Sequence, residues 1–168
     1  FTPVNCLGGN NGTATVSPSG GIPGIPVAYT YLWDDPLLQT TATATGLLAG
    51  TYTCIITDDN GCTYTATVNV TEPLTVVSAT TTFGPVNCLG GNDGTATVSP
   101  SGGSPGTPVA YTYLWDDPLA QTTATAINLI AGTYNCVITD DNGCPHTATV
   151  NVTQPLTAVS AIASFTPV

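Results

Sequence analysis

Six cysteines have the clearest chemistry in this chain. They form two sets of three with the same spacing, namely Cys6, Cys54 and Cys62, then Cys88, Cys136 and Cys144. They do not form CxxC pairs, and the chain has one histidine, so the spacing argues against a zinc site. Disulfide bonds are the alternative, and these are typical of oxidising, extracellular surroundings. Because each set has an odd number, at least one cysteine per set is free or bonds outside its own set.

Aspartates form a second group, because they occur as pairs inside short turns. The pairs are Asp34 and Asp35, Asp58 and Asp59, Asp116 and Asp117, and Asp140 and Asp141. In a head-to-tail array of modules, turns from opposite module ends would meet. Further oxygen ligands at such a junction would be Asn10, Asn11, Asn92 and Asp93. Calcium takes about six to eight oxygen ligands, so the pattern predicts calcium at the junctions. The alternative is that Asp and Asn are simply good turn formers.

The composition excludes several classes of function. The chain has no Lys or Arg and 10 acidic residues, which gives a net charge of −10. Nucleic-acid binding needs basic residues to neutralise phosphates, and an anionic membrane surface would repel this chain. No apolar run is long enough to span a membrane. Ser17, Ser19 and Ser78 have no His or Lys nearby in the sequence to activate them. We therefore expect no enzyme, no catalytic residues and no required cofactor.

The sequence repeats itself with a period of 82 residues. Residues 1–82 and 83–164 align without a gap, and the last four residues begin the motif again. This pattern predicts a window from a longer tandem array, and such arrays usually have mechanical or adhesive roles. Thr, Ala, Val and Gly dominate, which favours short strands joined by turns. The fold class that we predict is all-β, with tandem immunoglobulin-like β-sandwich repeats.

Alternating apolar residues indicate which side chains form the core. We expect about seven short strands per repeat, including residues 13–17, 27–33, 40–45, 52–57, 63–71 and 74–82. Within them, one face of each strand holds the aromatic rings, which are Tyr29, Tyr31, Trp33 and Tyr52, and in the second repeat Tyr111, Tyr113, Trp115 and Tyr134. The Asn-Gly dipeptide after residue 59 predicts a tight hairpin. Tyr52 is the candidate for the tyrosine corner of an immunoglobulin-like sandwich.

This topology places the domain boundaries away from the sequence period. Residues 1–73 would be a module that lacks its first strand, residues 74–155 a complete module, and residues 156–168 the first strand of a following module. For the cysteines, the topology favours a Cys6–Cys54 bond inside a module, with Cys62 left over. A leftover Cys62 could bridge to a neighbouring module instead, and that alternative stays open.

The strings NCLGGNNGTATVSPSGG, YTYLW and TATGLLAGTYTCIITDDNGCTYTATVNVTEP resemble the SprB-type repeat of Bacteroidota cell-surface proteins. The resemblance covers nearly the whole period in both copies. It implies an all-β repeat, export to the cell surface by bacterial type IX secretion, and a role in adhesion or gliding. One departure is the loop after SGG, which is longer than is usual in the family.

Two functions follow as expectations. The first is a structural segment of a long secreted adhesin or extracellular filament, whose partners are neighbouring repeats and, if residues 156–168 complete a neighbouring sandwich, other copies in a fibre. The second is a glycan-binding module that uses the Gly/Pro-rich loop of residues 18–26. Glycan sites present exposed aromatic rings, whereas the alternation here turns the rings inward.

Overall fold

The computed structural model describes residues 1–21, 28–103 and 110–164. Residues 22–26 of the predicted loop, residue 27 of the predicted strand after it, and residues 165–168 of the predicted terminal strand lie outside the described residues. Every regular element that the described residues form is a β-strand.

The described residues of the first repeat form two small sheets. Its strands are β1 (Gly12–Thr15), β2 (Thr30–Trp33), β3 (Thr43–Leu47), β4 (Gly50–Thr57) and β5 (Thr63–Val70). β1 pairs with β3, and the second sheet has the order β2-β4-β5, with all pairs antiparallel. Cys54 on β4 lies opposite Trp33 on β2 and Ala66 on β5.

Side chains from both sheets meet in one core. The alternation puts Trp33 and Cys54 inside, where both are fully buried, and Val4 from the segment before β1 joins them. Tyr29, Tyr31 and Tyr52 pack against this cluster and are half-buried. The predicted core face is therefore the observed one, with the tryptophan at its centre and the tyrosines at its border.

Within the predicted module of residues 74–155, the described residues form six strands, where about seven were predicted. They are β6 (Thr75–Gly84), β7 (Gly94–Gly103), β8 (Tyr111–Trp115), β9 (Thr125–Leu129), β10 (Gly132–Asp140) and β11 (Pro145–Val152). One sheet has the order β6-β7-β9 and the other the order β11-β10-β8. The first, second and fourth strands thus form one sheet and the other three form its partner, as in an immunoglobulin-like sandwich that lacks one short strand. Trp115 and Tyr134 are buried, and Tyr111 and Tyr113 are half-buried.

Positive backbone angles explain two turn positions. Gly61 and Gly143 in the two Asn-Gly turns have φ of +81° and +84°, which glycine adopts without strain. Gly46 and its counterpart Asn128 have φ of +69° and +59° next to an irregularity in the pairing with β1 or β7. Asparagine is the residue that best replaces glycine there, so this difference between the repeats keeps the backbone unchanged.

The chain divides into two compact units. The first contains Phe1–Val76 together with Gly102–Val109 and Asn142–Cys144, and the second contains Val77–Ser101, Ala110–Asp141 and Pro145–Val168. Residues 156–164, predicted as part of a following module's first strand, are exposed and belong to no strand.

Candidate functional site

One disulfide bond joins Cys6 to Cys144, with their Cα atoms 5.6 Å apart. Both residues belong to the first unit, although they come from different copies of the sequence repeat. Cys6 lies in a loop held by two backbone hydrogen bonds, in which the Val4 N–H donates to Thr71 O and the Gly9 N–H donates to Cys6 O. On the other side, the Asn142 side chain donates to Asn5 O.

The predicted Cys6–Cys54 bond is wrong, because Cys54 is enclosed in the core while Cys6 lies in a surface loop. Burial raises the pKa of the Cys54 thiol, and it does the same for the thiol of Cys136 in the second unit. Both therefore behave as small apolar core residues. The bond that forms instead links a hairpin cysteine to the other repeat, which is the alternative that the sequence left open. Cys62 and Cys88 are unpaired and exposed.

The aspartate of each DDPLxQ turn holds a network of hydrogen bonds. Asp35 is almost completely buried, and its carboxylate accepts hydrogen bonds from the Leu37 and Gln39 backbone N–H groups and from the Gln39 side-chain amide. The Gln39 side chain also exchanges two hydrogen bonds with the backbone of Thr45. Burial opposes ionisation of Asp35, but these hydrogen bonds together hold its pKa below the ordinary value.

The second unit repeats this network with Asp117, Gln121 and Ile127. Again burial opposes ionisation, and the hydrogen bonds from Gln121 and Leu119 together lower the pKa of Asp117. The sequence analysis missed both glutamines. Their fixed place four residues after the second aspartate was the available signal.

The other predicted calcium ligands also serve the backbone. Asp34 accepts hydrogen bonds from the Thr53 N–H and hydroxyl, and Asp116 accepts them from the backbone N–H and the side-chain amide of Asn135. Asp58 accepts from the N–H groups of Asn60 and Cys62. In the described part of the chain, no three acidic, histidine or cysteine side chains come together to hold a metal ion. The predicted calcium site, which also included Asp59, Asp140 and Asp141, stays a prediction.

The tyrosine at the start of β4 makes the hydrogen bond expected of a tyrosine corner. The Tyr52 hydroxyl donates to Leu48 O at 3.2 Å, and the Tyr134 hydroxyl donates to Ile130 O at 3.1 Å. Each bond fixes the chain where it enters the central strand of its sheet.

The first unit carries an open groove with a volume of about 610 Å³. One wall is formed by Thr15 at the end of β1 and by the residues that follow it, through Gly21. The other wall is the inner face of β5, with Ala66 and Val68, and the floor includes Ile56. Tyr29, Asp58 and Cys62 lie at one end of this groove. The sequence analysis did not predict this groove. Among the described residues, β1 has only β3 beside it as a strand partner.

Both copies of the repeat contain a match to the SprB repeat, over residues 1–38 and 80–120, which confirms the predicted resemblance. The SprB repeat is a repeat of cell-surface proteins. No curated protein matches the chain. None of the described residues forms a helix long and apolar enough to cross a membrane.

Solved structures with immunoglobulin-like domains resemble the chain at low sequence identity. The amphioxus IgVJ-C2 molecule is 16% identical, with 91% of this chain and 99% of that chain covered and a TM-score of 0.37. The four N-terminal Ig domains of Dscam1 isoform 6.44 are 11% identical, with 92% and 43% covered and a TM-score of 0.36. Domains 4 and 5 of the S-layer protein SbsC are 16% identical, with 74% and 76% covered and a TM-score of 0.27. We assign the fold from the order of the strands in the sheets alone.

Proposed function

We propose that this chain is a structural segment of a long, secreted cell-surface adhesin or extracellular filament. The SprB matches in both copies support a surface-protein repeat. Adhesion or gliding, and export by bacterial type IX secretion, are part of the proposal. The proposal assigns the chain no catalytic activity and no required cofactor, because the acidic turns and buried cysteines already have structural uses.

The observation that carries the proposal is the Cys6–Cys144 bond, which closes a loop of nearly the whole chain. The two cysteines are 138 residues apart in sequence. When the chain is pulled at its ends, tension passes from Cys6 directly to Cys144 through the covalent bond. The strands between them are then shielded from the load. Only the residues outside this loop, which include β11, can lengthen under load, and this limited extension suits a stalk or a filament.

Single-molecule pulling of the oxidised chain tests this directly. With the bond intact, the residues between Cys6 and Cys144 cannot add to the length of the stretched chain. Reduction should release about 480 Å of additional contour length, since 138 residues extend by ~3.5 Å each. The matched control is the variant C6S/C144S, which should release this length without reductant. If the oxidised wild-type chain already releases the full length, the chain is no inextensible segment and the proposal fails.

The glycan-binding alternative stays a prediction. Most of the loop on which it rests, residues 22–26, lies outside the described residues. Trp33 and Trp115, the rings most suited to stacking on sugars, are buried. Binding of the intact chain to immobilised glycans would revive this alternative.

A further inference from the structure

Two peptide bonds of this chain join an aspartate to a proline, and both lie in the DDPLxQ turns. They are Asp35–Pro36 in the first unit and Asp117–Pro118 in the second. A bond of this kind is sensitive to acid, because the aspartate side chain can reach its own backbone carbonyl and an intramolecular attack is strongly favoured over an attack from solution. In an open chain, each of these bonds is therefore a chemical weak point.

Scission of such a bond is an internal acyl transfer. A carboxylate oxygen of Asp35 attacks the carbonyl carbon of the same residue, and the bond from that carbon to the Pro36 nitrogen breaks. The nitrogen takes a proton from the acid and leaves as a secondary amine. The cyclic anhydride left on Asp35 then takes up one water molecule and opens to two carboxyl groups. The net change is the addition of one water across the bond, and nothing is oxidised or reduced.

In the folded turn, both oxygens of this carboxylate already accept hydrogen bonds. Asp35 Oδ1 accepts from the Gln39 backbone N–H at 2.9 Å, and Oδ2 accepts from the Leu37 N–H at 3.1 Å and from the Gln39 side-chain amide at 3.0 Å. The backbone carbonyl of Asp35 is fixed as well, because it accepts from the Leu38 N–H at 2.9 Å. An attack requires that the carboxylate first gives up its hydrogen bonds, inside a turn where Asp35 is 2% exposed.

The second unit holds its Asp–Pro bond in the same way. Asp117 Oδ1 accepts from the Gln121 backbone N–H at 2.9 Å, and Oδ2 accepts from the Leu119 N–H and the Gln121 side-chain amide, each at 3.0 Å. The Asp117 carbonyl accepts from the Ala120 N–H. Ala120 stands where the first unit has Leu38, and the hydrogen bonds are nevertheless the same. They therefore depend on the aspartate and the glutamine rather than on the side chain between them.

Hydrogen bonds hold these carboxylates, because the chain has no Lys or Arg to pair with them. The titratable groups beside Asp35 are Asp34, which precedes it, and Tyr52, which lines the same small cleft. Their counterparts beside the second turn are Asp116 and Tyr134. Burial raises the pKa of Asp35, but the hydrogen bonds from the glutamine and the leucine outweigh burial and lower it. The carboxylate therefore stays ionised and held in mild acid.

The hydrogen bonds to the carboxylate and the carbonyl of each aspartate together form a carboxylate cage. We propose that this cage keeps the two Asp–Pro bonds intact in acid, with Gln39 and Gln121 as its positioning residues. Each glutamine donates two hydrogen bonds to its aspartate, and its side chain is itself fixed by two hydrogen bonds with the backbone of Thr45 or Ile127. Opening of the turn releases the carboxylate and makes the bond a scission site. This inference goes beyond the proposed structural function and does not depend on it.

The disulfide bond makes each scission visible as a defined set of fragments. Both Asp–Pro bonds lie between Cys6 and Cys144, so one cut leaves the chain in one covalent piece until the disulfide is reduced. Two cuts release residues 36–117, whose cysteines are free, while residues 1–35 and 118–168 stay joined. Gels with and without reductant, together with mass spectrometry of the new chain ends at Pro36 and Pro118, therefore report on each bond separately.

The first experiment compares the folded and the unfolded chain at about pH 4, close to the ordinary aspartate pKa of 3.8. The oxidised protein is incubated with and without urea, and the fluorescence of the buried Trp33 and Trp115 verifies that both units stay folded without urea. Both bonds should break in urea. Without urea both should break more slowly by about tenfold or more, because the attack must first break hydrogen bonds to a charged group. Equal rates in the two conditions, or intact bonds in urea, would overturn the proposal.

The second experiment assigns the protection to the glutamines. In the folded chain, Q39A should speed scission after residue 35 by about tenfold and leave the bond after residue 117 slow, and Q121A should do the reverse. Each molecule thus contains its own control. C144S is the matched control for stability, because it removes the disulfide of the first unit without altering the cage, and it should leave both bonds slow while the tryptophan fluorescence stays that of the folded chain. If Q39A speeds both bonds equally, or acts no more strongly than C144S, the proposal is wrong.

D35N tests the chemistry of the scission itself, because it removes the attacking carboxylate. In urea, this variant should keep the bond after residue 35 intact, while the bond after residue 117 breaks as in the unsubstituted chain. Scission after residue 35 at an unchanged rate would contradict the proposed reaction. Pulling of one molecule depends on the Cys6–Cys144 bond and not on the cage, so failure here and failure of the proposed function are separate results.

Discussion

Two stretches of this molecule have the same ten-residue sequence, GTATVSPSGG, and different structures. In the second unit this sequence is β7, a strand of 10 residues, whereas in the first unit only the 4 residues of β1 form a strand. The same residues have the same intrinsic preferences in both places. The difference therefore comes from the neighbours of each stretch.

The neighbour that differs is β6. It lies along β7 and contributes Val77 to the core of the second unit, and the Ser78 hydroxyl lies 3.1 Å from that of Ser101. In the described residues of the first unit nothing takes this place, and strand structure ends at Thr15. A strand forms here because a partner covers its edge, which agrees with the strong dependence of β-structure on context.

The largest expected effect comes from removing the partner's apolar contact in the second unit. V77D places a charge in the core, and we expect it to lower the free energy of unfolding of that unit by about 4 kcal/mol. Urea unfolding followed by tryptophan fluorescence measures this. V76D, one residue away on the exposed face, is the matched control and should hardly change the free energy of unfolding. Equal losses in the two variants would show that β6 does not hold β7 through its inner face.

Breaking the disulfide should destabilise the first unit alone. C144S removes the Cys6–Cys144 bond, and we expect the free energy of unfolding of the first unit to fall by about 3 kcal/mol. The control is C88S, which alters a thiol that has no partner in the separate chain and should leave stability unchanged. Calorimetry of both variants under oxidising conditions distinguishes them. A C144S chain as stable as the C88S chain would contradict the pairing.

Removing the buried aspartate should lower the free energy of unfolding by the same amount in each of the two units. D35N and D117N each remove a charged acceptor of several N–H groups, so we expect a loss of about 2 kcal/mol at neutral pH in either unit. The folded pKa of both carboxyls is lowered from 3.8. Their contribution is therefore complete above the unfolded pKa and is lost as the pH falls through the folded pKa.

Urea unfolding between neutral pH and pH 3 measures this dependence. Wild-type stability should fall on acidification, and the double variant D35N/D117N should show a flatter profile. If D35N and D117N lower the free energy of unfolding by very different amounts, the two units differ in more than the presence of the strand partner.

The smallest expected effect is that of a chelator. Since Asp34, Asp35 and Asp58 accept hydrogen bonds from N–H groups, we expect the melting curves of both units to stay unchanged when EDTA is added. Calorimetry with and without added calcium is the measurement. A selective loss of stability in EDTA would contradict this expectation and would show that calcium binds at these turns.

The local features of the fold could be predicted from the sequence, because they depend on short patterns. The alternation of Tyr29, Tyr31 and Trp33 predicted the inner face of β2, and the Asn-Gly dipeptides predicted the hairpins. The position of β3 was predicted less accurately, because the strand was expected at residues 40–45 and is observed at Thr43–Leu47. Thr41 O accepts the Trp33 indole N–H instead, a contact that depends on tertiary packing.

The features that define the candidate site could not be predicted, because they depend on distant residues. Cys6 meets a cysteine 138 residues away, and spacing within one repeat contains no information about that approach. The groove likewise lies beside β1, which has only β3 as a strand partner among the described residues, although the sequence of β1 equals that of the start of β7. Repeats that agree in sequence can therefore differ wherever an edge needs a partner.

Hydrogen exchange of the backbone amides is the most direct test of the claim that a neighbouring strand decides the structure of GTATVSPSGG. We predict slow exchange in residues 98–103 and fast exchange in residues 16–21, and slowing in residues 16–21 when a peptide with the sequence of β6, residues 75–84, is added. Equal protection of the two stretches without peptide, or no change on adding it, would contradict the account.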